Sequence, residues 1–191
     1  MPHDPTPHHL STSPAAGDVR VQDLLPEPLS EELFRAVIGA GADVARLAPE
    51  LSRYRALAYS YSLPPGLVGA YVPVMGAATG FHVGVLADVC SCELLTGALN
   101  RAHEPSEPGV RAALSELALE LALGVLRRVD PALRLAIGRP LFVDGLARRT
   151  RRARLRAAEV AFGGIDATLA LVSLEALRDT DWPGRNESKQ K

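Results

Sequence analysis

The chain has 191 residues, 47% of them hydrophobic and 23% charged, enough to build one good core and hardly two. A formal net charge of -1 argues against a general affinity for nucleic acid or anionic membrane, because both require a net basic face. The apolar runs are broken by Gly, Pro or charge well short of the ~20 residues of a bilayer helix, and the amino terminus lacks a basic-then-apolar leader, so a cytoplasmic protein is expected.

The first stretch, MPHDPTPHHLSTSPAAGD, is rich in Pro, His, Ser and Thr and has almost nothing to bury. Residues 1–25 are therefore expected to be a disordered leader and residues 179–191 a flexible tail, with Trp182 as the one side chain able to tuck back. Between them, residues 30–178 form a single domain. His3, His8 and His9 cluster in the leader, but nothing nearby completes a coordination shell, so no metal and no cofactor are expected. The first helix is expected to start at Ser30 as N-cap, with Glu31 and Glu32 suiting the positive end of the helix dipole, and to run about four turns to Leu47-Ala48-Pro49. Leu33, Phe34, Val37, Ile38, Val44 and Leu47 mark its face. Gly39 and Gly41 in its middle imply close packing or a bend.

From Leu57 to Asp88 the pattern changes to short β-type runs divided by turn residues. LAYSYSL, LVGAYVPVM and FHVGVLAD predict three consecutive strands in a meander, with Pro73 at an edge or a bulge. His82 alternates with Phe81 and Val83 and reads as a surface or hydrogen-bonded sheet histidine on the opposite face. Val89 to Arg101 predicts a short helix with Cys90 and Cys92 near its start. Separated by a single residue, they are too close for an ordinary disulfide. Small packing residues are the expectation, although a helix dipole could lower a thiol pKa there.

The longest helix follows, Arg111 to Val129, with Leu114, Leu117, Ala118, Leu121 and Val125 on one face and Leu119 and Leu126 flanking it. Its open stripe carries Glu116, Glu120 and Arg127, with Leu123 in the same line. Asp130-Pro131 stops it, and Leu133, Leu135 and Ile137 alternate as a half-buried strand before Arg139-Pro140 redirects the chain. Beyond Gly145, Arg148, Arg149, Arg151, Arg152, Arg154 and Arg156 crowd together. They read either as a phosphate or acidic-surface site or as a solvated loop entering a strand with a basic outward face. RLRAAEVAF and ATLALVSL are closing strands joined at Gly163-Gly164-Ile165-Asp166 as a hairpin, and a last helical turn is expected at Glu175 to Arg178. The fold class is α+β, a largely antiparallel sheet with long helices packed against it.

That order resembles the CheX-type chemotaxis phosphatases and their relatives, the CheC proteins and the middle domain of the flagellar switch protein FliM. The residues behind the resemblance are GLVGAYVPVMGAATGFHVGVLAD, CELLTGAL, the LALGVL end of the long helix, PLFVDG and GGIDATLALVSL, and the resemblance covers nearly everything from Ser30 to Leu174. The resemblance implies a Glu-x-x-Asn pair on the long helix, the acid gripping a lysine of a phosphorylated response regulator and the amide orienting the attacking water. Glu120 as the acid puts Leu123 at the amide position, and Glu116 puts Leu119 there. Matching Gly124 to the glycine that often follows the motif replaces Glu by Leu117 and Asn by Glu120.

No register supplies an amide. The chain's Asn residues are Asn100 and Asn186 and its Gln residues Gln22 and Gln190. A leucine does not position water, and an anionic carboxylate is repelled by an anionic phosphoryl group. The expected function is therefore a catalytically silent, CheX-like module that binds a response-regulator receiver domain or a flagellar or motility protein through Glu116, Glu120 and Arg127, helped by Arg148, Arg149, Arg151 and Arg152. The alternative is an active phosphatase of aspartyl-phosphorylated regulators using Glu116 or Glu120, with Asn100 as the candidate water ligand. A third reading is an assembly unit pairing through sheet edges, and the resemblance makes a homodimer a fair expectation.

Overall fold

A computed structural model describes residues 27–76, 79–100, 106–144 and 155–173. The leader, the tail and the turn expected at Glu175–Arg178 lie outside the described residues. Helix α1 spans Glu27–Val44, starting before Ser30 and ending before Leu47. Ser30 is 3% exposed inside the helix and is not its cap. Pro28 explains the earlier start, since near a helix start its missing N–H costs nothing and its fixed φ is already helical. A 3-10 turn at Pro49–Leu51 leads to β1 (Tyr54–Ser60), followed by β2 (Val68–Met75), β3 (Gly80–Ala87), α2 (Val89–Asn100) and α3 (Glu107–Leu126). After a second 3-10 turn at Pro131–Leu133 come β4 (Ala136–Ile137), β5 (Leu141–Asp144), β6 (Leu155–Phe162) and β7 (Ile165–Ser173).

The seven strands form one sheet in the order β1-β6-β7-β3-β2-β4, with β5 also on β2, and every pairing is antiparallel. The expected meander is only half present. β2 and β3 form a hairpin, but β1 pairs with β6 at the far edge. Local turn signals cannot report a partner about a hundred residues away. As an edge strand β1 is exposed along most of its length and is broken by an irregularity between Ala56 and Ala58, a feature that discourages further pairing.

Pro73 sits between the stretch of β2 that pairs β5 and the stretch that pairs β4, so its missing N–H falls in a gap. Its carbonyl accepts from Gly138 N at 2.8 Å. The strand expected over Leu133–Ile137 is reduced to the two residues of β4, though all three apolar side chains are half-buried. The closing hairpin turns on Gly163 and Gly164, both at positive φ, 62° and 99°. A Cβ on Gly163 would also strike the Glu50 carbonyl at 1.7 Å.

All three helices contribute to one core on one face of the sheet, where Ala70, Val72 and Val74 of β2 and Leu169 and Leu171 of β7 alternate inward. Leu114, Leu117 and Leu121 of α3 are fully buried there. Burial of a leucine contributes about 1.5–3 kcal/mol, which makes α3 the main clamp on the sheet. The opposite face carries a smaller cluster of Tyr71, Leu86, Val143, Ala170 and Val172. His82 is on that side and is 3% exposed, so it is a buried rather than a surface histidine.

Candidate functional site

Ser106 caps α3, its hydroxyl accepting from Gly109 N, and Pro108 occupies the first turn. The residues expected to face the core do so, and the remaining arc is the expected stripe. Glu116 is exposed, Glu120 is half-buried, Leu119 and Leu123 are each 37% exposed, and Arg127 lies just past the last turn. Arg127 Nη1 donates to Glu120 Oε1 at 3.0 Å and lies 3.5 Å from Asp43 Oδ2. Glu116 makes no hydrogen bond or ion pair among the described residues.

Beneath this stripe lies a charged contact that the sequence reading did not identify. Asp43, on the buried side of α1 and 6% exposed, accepts from Arg128 Nη1 at 2.6 Å and Nη2 at 3.3 Å. Arg128 Nη1 also donates to the Gly124 carbonyl at 2.8 Å, and Arg46 reaches Asp43 at 3.2 Å. The hydrogen bond from Arg128 holds the Asp43 carboxyl below the usual range, against the opposing effect of burial and with help from the charges of Arg128, Arg46 and Arg127. A signal was present in the sequence: an acid among the small residues of Ala40-Gly41-Ala42-Asp43 on the side of the helix that carries Val37, Ala40 and Val44. The helices approach closely at that level, where a Cβ on Gly124 would lie 2.7 Å from Ala40 Cβ. Gly41 admits the Tyr54 ring, and the Tyr54 hydroxyl donates to the Ile38 carbonyl at 2.7 Å. The glycines of α1 therefore mark close packing.

The geometry separates the three motif registers. Leu117 is fully buried, so the register that puts the acid there points into the core. The two outward registers, Glu116 with Leu119 and Glu120 with Leu123, each place an exposed leucine at the amide position. Asn100 is the last residue of α2, a different helix, and its side chain is outside the described ones. Arg148, Arg149, Arg151, Arg152 and Arg154 also lie outside the described residues. Arg156 is described, and it is not an outward basic residue: it pairs with Glu31 and lies over the rings of Phe34 and Tyr61 at 5.9 and 5.5 Å.

The cysteines divide. Cys90 is exposed, contrary to the expectation of a packing residue. Cys92 is buried, and burial, reinforced by the Asp88 charge, pushes its thiol up to about 11 rather than down. Asp88 caps α2, accepting from Ser91 N at 2.9 Å and Ser91 Oγ at 2.8 Å. Among the described residues no group of His, Cys, Asp and Glu is placed to hold a metal, and no helix is long and apolar enough to cross a membrane.

No family model and no curated protein matches the sequence. Solved structures do match. The chemotaxis protein CheX from Desulfovibrio desulfuricans aligns with a TM-score of 0.58 at 13% identity, over 73% of this chain and 97% of that one. A CheC-like superfamily protein from Shewanella sp. PV-4 aligns with a TM-score of 0.57 at 11% identity, over 78% and 98%. CheX from Borrelia burgdorferi, in a complex with CheY, BeF3 and Mg2+, aligns with a TM-score of 0.56 at 13% identity, over 74% and 96%. The seven-stranded antiparallel sheet with its helices on one face is the fold of the CheX and CheC-like proteins.

Proposed function

We propose that this chain is a noncatalytic CheX-like module that binds the receiver domain of a response regulator through the outward face of α3. The observation that carries the reading is the pair of exposed leucines, Leu119 and Leu123, each one turn after an outward acid. An aliphatic side chain neither accepts nor donates a hydrogen bond, so neither leucine can aim a water at a phosphoryl phosphorus. Glu120 is further engaged by Arg127 at 3.0 Å. In the Glu120 register a partner's cation must therefore compete with Arg127 for the acid. Retention of the fold, and the CheY in the Borrelia CheX complex, support a receiver domain as the partner.

The test incubates the protein with an aspartyl-phosphorylated receiver domain and follows both binding and phosphate loss. Binding without acceleration is expected, weakened by Leu123→Ala by about 1 kcal/mol, roughly fivefold. Accelerated dephosphorylation that disappears in Glu120→Ala would instead establish an active phosphatase. Absence of both binding and acceleration would remove the receiver domain as the partner.

A further inference from the structure

The outward face of α3 has a pattern that repeats when the helix is reversed. Glu116 and Arg127 are eleven residues apart, about 16 Å along the axis at 1.5 Å per residue, and their midpoint falls between Leu121 and Ala122. Leu119 and Leu123 straddle that midpoint, and each is 37% exposed. At 100° per residue the four side chains fall within roughly an 80° arc. The charges at the two ends are opposite and incompletely used. Glu116 has no partner among the described residues. Arg127 makes both of its contacts, to Glu120 and Asp43, through Nη1, which leaves Nη2 and Nε open among the described residues.

We propose that two copies of this chain pair through α3, antiparallel about a two-fold axis at that midpoint. The axis places Glu116 of each copy opposite Arg127 of the other and gathers the four leucines between them, a self-complementary contact of the kind a two-fold dimer requires. A different protein would have to bring both a cation for Glu116 and an acceptor for Arg127, at matching separation. A second copy supplies both. The exposed part of the leucines is modest, so the dimer is weak, dissociating in the micromolar range or above.

The dimer covers the face proposed above for the receiver domain, so the two partners compete for it, and the dimer is tested on this chain alone, without a receiver domain. Sedimentation velocity of the full chain from about 1 µM to 0.5 mM should show concentration-dependent dimer. Glu116→Arg and Arg127→Glu should each shift the midpoint toward monomer by roughly tenfold or more, because each opposes like charges at both ends. An equimolar mixture of the two should recover the dimer, since each variant then carries the charge its counterpart has lost. Leu123→Asp tests the leucine contact without touching Arg127, which also braces Glu120. A wild-type chain that stays monomeric throughout would overturn the proposal. So would a dimer that Glu116→Arg and Leu123→Asp leave intact, which would pair through another surface such as the β1 edge.

Discussion

Gly97 and Gly124 both sit inside helices, and alanine at the two positions should move stability in opposite directions. Helix propensity alone favours alanine over glycine by about 1 kcal/mol. At Gly97 an added Cβ meets nothing within 4 Å, so the protein should gain about 0.5–1 kcal/mol. At Gly124 the same atom would lie 2.7 Å from both Ala40 Cβ and Asp43 Oδ2. Ordinary carbon contacts are about 3.5–4.0 Å, so α1 and α3 must part by about 1 Å. Asp43 is not free to step aside, because Arg128 holds it at 2.6 Å. Overpacking of this kind costs about 1–3 kcal/mol, and after the propensity gain and the loosened ion pair a net loss of about 1–2 kcal/mol is expected. For a domain of this size that lowers Tm by about 3–6 °C, while Gly97→Ala should raise it by about 1–3 °C. Thermal unfolding by circular dichroism, supported by urea midpoints, measures both. A Gly124→Ala protein melting at or above the wild type would refute the close α1–α3 contact on which the placement of the stripe rests.

The hydrogen bond from Arg128 favours the charged form of Asp43 and holds its carboxyl below the usual carboxylate range. Its contribution to stability is therefore complete above about pH 4 and is lost as pH falls through the folded value. Asp43→Asn should be less stable at neutral pH and show a flatter decline in acid than the wild type, as read from urea midpoints at stepped pH; equal slopes would contradict the pairing. In the native protein Ellman's reagent at pH 8 should modify Cys90 promptly and Cys92 only on unfolding, because burial pushes the Cys92 thiol up to about 11. Two fast equivalents would show that α2 does not pack Cys92 against the sheet. Leu123→Asn places an amide one turn after Glu120. Combined with Arg127→Ala, which frees Glu120, it should accelerate receiver dephosphorylation where neither single change does, and its failure would show that more than the side-chain pair has been lost.

Much of this arrangement was legible in the sequence because it is written in local periodicity. The buried face of α3, its outward stripe and the Gly163-Gly164 hairpin all follow from spacings within one or two elements. The placement of β1 was not legible, since alternation identifies a strand but not its partner. The N-terminus of α1 was misplaced because Ser30 looks like a cap, while Pro28 acts earlier. Asp43 and Arg128 are 85 residues apart, and a pairing of that range has no local pattern. In sequence Arg127 and Arg128 look interchangeable. Only the packing of α1 on α3 assigns one to the surface and the other to the seam.

Arg127 stands between two carboxylates, Glu120 at 3.0 Å and Asp43 at 3.5 Å. A guanidinium so placed can surrender one acceptor and keep the other. An incoming ammonium group could therefore take Glu120 without leaving a stranded cation on the helix, and the exchange would proceed with little change in the number of charge contacts. The clasp that holds Glu120 in the resting domain is also one that a basic visitor can open cheaply.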